Sequence, residues 1–89
     1  MNNISKVVGE NLKLARKAKG LTQSQLAKEL NKYQSDYSEY ETGKIQLDYD
    51  KIVYLCKRLD ITPNDLFDIY NWNFYKTEGR KLFFRPSVL

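Results

Sequence analysis

The side chain that most often serves as a general base near neutral pH is absent from this chain, although carboxylates and lysines remain that could carry chemistry. Its 89 residues include no histidine and a single cysteine, Cys56. Histidine is both the usual general base near neutral pH and the commonest metal ligand, and one cysteine excludes an intrachain disulfide. The sequence also contains neither a glycine-rich phosphate loop nor a nucleophile elbow. We therefore expect no enzymatic activity, no metal and no cofactor.

Length and composition favour one small cytoplasmic domain. A chain of 89 residues suffices for one domain and is too short for two. It has no apolar run long enough to span a bilayer, and residues 1–20 show no signal-peptide pattern. The unpaired cysteine fits a reducing compartment. We expect a cytoplasmic protein without a membrane partner.

The charge of the chain is modest and unevenly distributed. The formal net charge is +4, of which residues 71–89 carry +3 and residues 1–70 only +1. The sign suits a polyanionic partner, but charge of this size does not by itself identify a ligand.

Helical periodicity predicts five helices before residue 70. The first covers residues 4–19 and ends at Gly20, and the third covers about residues 34–41 and ends before Gly43. The expected core positions recur at helical spacing and are Ile4, Val8, Leu12, Ala15, Leu26, Ala27, Leu30, Tyr37, Tyr40, Ile52, Leu55, Cys56 and Leu59.

The second, fourth and fifth helices each begin with a capping residue, namely Thr22, Asp48 and Thr62. Gln25 would complete a capping box with Thr22, and Pro63 takes the first helical position after Thr62. Each start also has a hydrophobic staple, formed by Leu21 and Leu26, by Leu47 and Ile52, and by Ile61 and Leu66. Repeated local signals of this kind are typical of a foldable sequence.

The aromatic-rich, alternating segment 71–85 predicts a β-hairpin. A two-residue turn would force positive φ on Glu78, whereas the three-residue loop 77–79 needs it only at Gly79. The longer loop also gathers four apolar side chains on one face, those of Trp72, Phe74, Leu82 and Phe84. An isolated hairpin is marginal in water, so this face must pack on something. We expect it to mediate dimerisation with a second copy; packing on the fifth helix is the alternative.

The segment 20–44, GLTQSQLAKELNKYQSDYSEYETGK, resembles the Cro/phage-repressor helix-turn-helix family, also called the xenobiotic-response-element type. The matching residues are Leu21, Thr22, Gln23, Leu26, Ala27, Leu30, Ser38, Tyr40, Glu41, Gly43 and Lys44, and the likeness extends from about Val8 to Phe67. It implies an all-α, five-helix phage-repressor-like DNA-binding domain over residues 4–70. The helix-turn-helix proper would span residues 22–42, and a C-terminal β-hairpin tail would span residues 71–89.

The resemblance implies that the third helix lies in the major groove of double-stranded DNA. Its base-reading side chains would be Gln34, Ser35, Asp36, Ser38 and Glu39. Gln34 stands where the family often reads a base, and a glutamine can bond both N6 and N7 of adenine. Contacts to the DNA backbone would come from Thr22, Gln23, Lys28, Lys32, Thr42 and Lys44, with Gln23 also supporting Gln34. Arg16 and Glu41 would form a structural ion pair.

The sequence departs from the family pattern at three places. Asn31 replaces the usual glycine of the turn, which is a mild change because asparagine tolerates positive φ. Tyr33 stands where a serine or threonine usually caps the third helix, at a cost of about 1 kcal/mol unless Ser35 caps a shorter helix. Asp36 and Glu39 bring two acids to the expected groove-facing surface, where they help only if they accept hydrogen bonds from cytosine N4.

Several of these residues also have purely structural interpretations. Gln23 and Gln25 could simply be good helix formers, and the three lysines could be ordinary solvated side chains. Tyr33, Tyr37 and Tyr40 could form a stacking platform for single strands, but helical spacing favours a core position for the last two.

Two functions follow as expectations. The first is a sequence-specific transcriptional regulator, a repressor acting as a homodimer on a pseudo-palindromic operator. The alternative is a protein-interaction module on the same scaffold, antitoxin-like or bound to a regulatory protein partner, with weakened DNA contact. Gln34 and Lys44 favour the first, and Asp36 and Glu39 favour the second.

Overall fold

The computed structural model describes residues 3–69, which form five helices around one core. These are α1 (Ile4–Ala18), α2 (Gln23–Glu29), α3 (Gln34–Thr42), α4 (Tyr49–Leu59) and α5 (Pro63–Phe67). This part of the chain contains no strand, and none of its helices is long and apolar enough to cross a membrane. The helical part of the predicted fold is confirmed. The predicted β-hairpin lies outside the described residues.

Local capping interactions determine where the helices begin. The Thr22 hydroxyl accepts from the Gln25 backbone N–H at 3.0 Å, and Gln25 Oε1 accepts from the Thr22 N–H at 2.7 Å. Thr62 and Asp65 form the same reciprocal pair at the start of α5. Asp48 caps α4 through its side chain. These contacts confirm the predicted starts of three helices.

Other helix ends depend on residues that the sequence analysis did not single out. Asn3 caps α1 by accepting from the Lys6 N–H at 3.2 Å. Asp60 and Asp68 end α4 and α5 in the left-handed conformation, each with φ of 59°. Short polar side chains tolerate this conformation better than most, so aspartate takes the place of the usual glycine.

The core is built from one face of each helix. Its buried apolar residues are Val8, Leu12, Leu26, Ala27, Tyr37, Tyr40, Leu55, Cys56, Leu59 and Leu66. Ile4, expected on the same face of α1, is exposed instead, because it is the first residue of that helix. The rings of Tyr37 and Tyr40 meet edge to face with their centroids 6.1 Å apart, which confirms their core position. Cys56 is buried as expected, and desolvation raises the pKa of its thiol.

Two glycines allow α1 to approach α3 closely. A Cβ atom on Gly9 would lie 2.6 Å from the Tyr40 carbonyl oxygen, closer than a methyl group can approach. Gly43 ends α3 with φ of 84°, and a Cβ atom there would lie 2.7 Å from the Lys6 Cα. Both positions therefore require glycine, and together they set the distance between α1 and α3.

A polar cluster on the surface joins α2 to α4. Arg58 donates from Nε and Nη2 to the two carboxylate oxygens of Glu29, at 2.9 and 3.0 Å, and the Tyr54 hydroxyl donates to the same carboxylate at 2.7 Å. The hydrogen bonds from Arg58, which have the largest effect, and from Tyr54 hold the pKa of Glu29 below its ordinary value. Because the cluster is exposed, its contribution to stability is small.

Candidate nucleic-acid interface

The turn between α2 and α3 has the features that the sequence predicted. Ala27 is buried where the two helices meet, so their backbones can approach. Asn31 adopts a φ of 61° directly after Leu30, and the next residue, Lys32, donates its N–H to the Ala27 carbonyl at 2.8 Å. The chain thereby reverses within a few residues and starts α3 at Gln34.

A buried ion pair ties α1 to the end of α3. Arg16 donates from Nε and Nη2 to the two carboxylate oxygens of Glu41, at 2.6 and 3.1 Å. Its third nitrogen, Nη1, donates to the Leu21 carbonyl at 2.8 Å. The two side chains are only 8% and 2% exposed. The structure therefore brings together the two residues that were expected to pair, and in the forked geometry that makes such pairs strong.

Glu41 also accepts hydrogen bonds from two further side chains. The Tyr37 hydroxyl donates to Glu41 Oε2 at 2.7 Å, and Gln23 Nε2 donates to Oε1 at 2.9 Å. Tyr37 was expected in the core, but its bond to Glu41 was not expected. Its signal was present, since residues four apart on a helix face each other. Each carboxylate oxygen thus accepts two hydrogen bonds.

This network determines the ionisation of Glu41. Burial alone would raise the pKa of its carboxyl group, but hydrogen bonds from Arg16, Gln23 and Tyr37 outweigh desolvation and hold the pKa below its ordinary value. The hydrogen bond to Glu41 raises the pKa of Arg16, and burial raises that of Tyr37. Glu41 is therefore a carboxylate at neutral pH, and a carboxylate can only accept hydrogen bonds.

From this buried centre the network extends to the exposed start of α3. Gln34 Nε2 donates to Gln23 Oε1 at 3.1 Å, the contact that the resemblance implied. The Ser24 hydroxyl then donates to Gln34 Oε1 at 3.2 Å. Ser24 was missed from sequence, because nothing in the local pattern marks a serine at the second position of α2. The result is a continuous polar chain from Arg16 to the surface.

The remaining candidates for base reading lie along α3. Ser35 and Asp36 are exposed, whereas Ser38 and Glu39 are half-buried. The Ser38 hydroxyl donates to the Ser35 carbonyl at 2.8 Å, so its proton is engaged within the helix. Neither acid forms an ion pair with another described residue. Tyr33 precedes the helix without a side-chain cap, as expected from its type.

A family of helix-turn-helix domains matches the chain over residues 9–71. The chain belongs to this family. The family is one of DNA-binding regulatory domains rather than enzymes, so the domain is of the DNA-binding regulator type. No curated protein and no solved structure matches the chain.

The lysines around the helix-turn-helix differ in whether their ammonium groups contact other side chains. Lys28 and Lys44 are exposed and form no ion pair within residues 3–69. The Lys32 ammonium lies 6.0 Å from the centroid of the Tyr40 ring, within the range of a cation–π contact. The Thr42 hydroxyl donates to the Glu39 carbonyl at 3.3 Å. Among the residues that the structure describes, Lys28 and Lys44 are thus the two lysines of the expected set whose ammonium groups contact no other side chain.

Proposed function

We propose that this helix-turn-helix domain is of the Cro/phage-repressor type and acts as a sequence-specific transcriptional repressor on double-stranded DNA. The observation that carries the proposal is Gln34, exposed at the first position of α3 and supported by Gln23. A glutamine at the N-terminus of a recognition helix can bond N6 and N7 of adenine at the floor of the major groove.

The proposed DNA-backbone contacts lie at both ends of α3. Lys28 lines the same hollow as Ser24 and Gln34 at the start of the helix, and Lys44 follows the end of the helix. A helix of this length measures roughly 13 Å, close to the major-groove width of about 12 Å. Cations at its two ends would therefore meet phosphates on opposite sides of the groove. Thr22, Gln23, Lys32 and Thr42 complete the proposed backbone set.

Substitutions at Gln34 and Lys44 test the division between reading and positioning. Gln34→Ala is expected to weaken binding to the preferred site by about 1–3 kcal/mol and to leave binding to random DNA nearly unchanged. Lys44→Ala is expected to weaken both similarly and to flatten the salt dependence by about one unit for each bound copy, hence by about two units for a dimer. Equilibrium binding to a preferred duplex and to a random duplex measures the effects of both substitutions. Equal losses on preferred and random DNA for Gln34→Ala would show that Gln34 does not read a base.

A specific observation favours a second candidate, a protein-interaction module on the same scaffold. Asp36 is exposed and Glu39 half-buried on α3, and neither is neutralised by another described residue. Such acids repel phosphates unless cytosine N4 groups lie opposite them. A regulatory protein or antitoxin-like partner with a basic surface would suit them better. Complex formation with such a protein and no salt-dependent DNA binding would favour this function.

We further propose that residues 4–70 are the DNA-binding domain and that the tail, residues 71–89, joins two copies into a homodimer. The support is the alternating pattern of Trp72, Phe74, Leu82 and Phe84, together with the two-fold symmetry of pseudo-palindromic operators, whose half-sites lie about 34 Å apart.

Sedimentation of the full-length protein beside a truncation ending at Tyr70 tests the tail. We expect a dimer for the full chain and a monomer for the truncated one, because the apolar face of the predicted hairpin would be lost. A dimer that persists after truncation would contradict the proposal. So would a full-length protein that is monomeric at micromolar concentration, a result that favours packing of the tail on α5.

A further inference from the structure

The buried carboxylate of Glu41 determines which atoms donate and which accept in the hydrogen-bonded chain that leads to Gln34. Glu41 is a carboxylate and offers only acceptors. Gln23 must therefore turn its Nε2 towards Glu41, at 2.9 Å, and its Oε1 towards Gln34. Gln34 can approach that oxygen only with its own Nε2, which lies 3.1 Å away. An amide whose orientation is otherwise free is thus set by a buried charge two residues away in the hydrogen-bonded chain.

Ser24 holds the other end of the Gln34 amide. Its hydroxyl lies 3.2 Å from Gln34 Oε1 and donates to it. The hydroxyl is not needed as a helix cap, since Thr22 already caps α2. An amide group has two donor hydrogens and two acceptor lone pairs, and one of each is now engaged. Gln34 is left with one hydrogen and one lone pair for a ligand.

We infer that Ser24 is a specificity-determining positioning residue, which acts by holding the Gln34 amide in one orientation with a single free donor and a single free acceptor. The inference rests on the proposed function, in which Gln34 reads a base. Adenine presents an acceptor, N7, beside a donor, N6, and matches this pattern. Guanine presents two acceptors, N7 and O6, and would place one of them against the free lone pair of Gln34.

Loss of the Ser24 hydroxyl has a defined consequence. The amide of Gln34 is then held only by the bond to Gln23. Exchanging that single bond for a second bond to guanine lets the amide rotate and offer both hydrogens to the base. Ser24 therefore acts chiefly by disfavouring guanine. Its loss is expected to reduce the discrimination between adenine and guanine, rather than to lower the affinity for both equally. A serine with a merely structural role on an exposed part of α2 would not produce that change.

The first test uses the full-length protein and a duplex selected by the wild type from a random library. The base pair read by Gln34 is the one whose replacement no longer matters in Gln34→Ala. Exchanging A·T for G·C at that pair is expected to weaken wild-type binding by about tenfold or more. In Ser24→Ala, the ratio of the affinity for the A·T duplex to that for the G·C duplex should fall to about threefold or less. This is the loss expected for one hydrogen bond. Ser24→Thr keeps a hydroxyl and should keep the ratio.

The control for a serine-to-alanine change in a helix is Ser5→Ala on α1, which should also keep the ratio. A Ser24→Ala protein that retains full discrimination would overturn the inference. Equal loss of affinity for both duplexes would overturn it as well, since that result indicates a positioning contact without selectivity.

A second measurement separates this inference from the proposed function. In the free protein, the side-chain amide resonances of Gln34 should shift in Ser24→Ala and return towards the wild-type positions in Ser24→Thr. Unchanged resonances would overturn the role of Ser24 even if the wild type selects a sequence. A wild type that selects no sequence would overturn the proposed function, and the reading role with it, whatever the resonances show.

Discussion

Replacing Glu41 with alanine is expected to lower the free energy of unfolding by about 3–5 kcal/mol. The substitution leaves the buried guanidinium of Arg16 without its counter-ion, and it leaves Tyr37 and Gln23 without their acceptor. A small domain has about 5–15 kcal/mol of stability in total, so the variant should unfold at a temperature lower by roughly 12 °C or more. Thermal and denaturant unfolding measure the effect.

The chain contains a matched control for this prediction. Glu29 accepts the same forked pair of bonds from Arg58 and the same hydroxyl bond from Tyr54. The difference is burial, since the Glu29 side chain is 28% exposed and that of Glu41 is 2% exposed. Glu29→Ala is expected to cause only a small fraction of the Glu41→Ala effect, because water screens exposed pairs. Equal losses in the two variants would contradict the account of a buried ion pair.

The helices were predictable because their signals are local. The pairs Thr22–Gln25 and Thr62–Asp65 lie three residues apart, and their reciprocal bonds form within one helical turn. The core spacing of α4 was equally direct. Sequence reasoning succeeded where the interacting groups lie within a few residues of one another.

The geometry of the candidate site depends on contacts between distant residues. Gln23 and Glu41 are hydrogen-bonded although they lie 18 residues apart in the sequence, and Ser24 and Gln34 although they lie 10 residues apart. Gly9 lies mid-helix, where glycine is ordinarily unfavourable, and its purpose appears only when α3 is packed against it. The resemblance supplied the positions of Arg16, Glu41 and Gln23. It could not supply Ser24, whose hydroxyl matters only because of the distance that the fold creates.

DNA binding by the full chain is expected to weaken about a hundredfold between roughly 50 and 200 mM salt. The affinity falls by a power of the salt concentration equal to about 0.9 for each phosphate neutralised. Lys28 and Lys44 in each of two copies would neutralise four phosphates, which gives a power of about 3.6. Lys32 is not counted, because its ammonium lies over the Tyr40 ring. The negative charge of Glu41 does not lower the number of phosphates neutralised, because it is buried and paired with Arg16. A protein-interaction module that does not bind DNA would show no such salt-dependent affinity for the duplex.

Equilibrium binding to two duplexes across a salt series decides whether α3 reads double-stranded DNA. The two duplexes are one selected by the full-length protein from a random library and a scrambled duplex of the same length and composition. We expect binding to both duplexes to weaken steeply with salt, and binding to the selected duplex to be tighter by about a thousandfold or more. Equal affinity for the two duplexes, or an affinity that hardly changes with salt, would contradict this expectation.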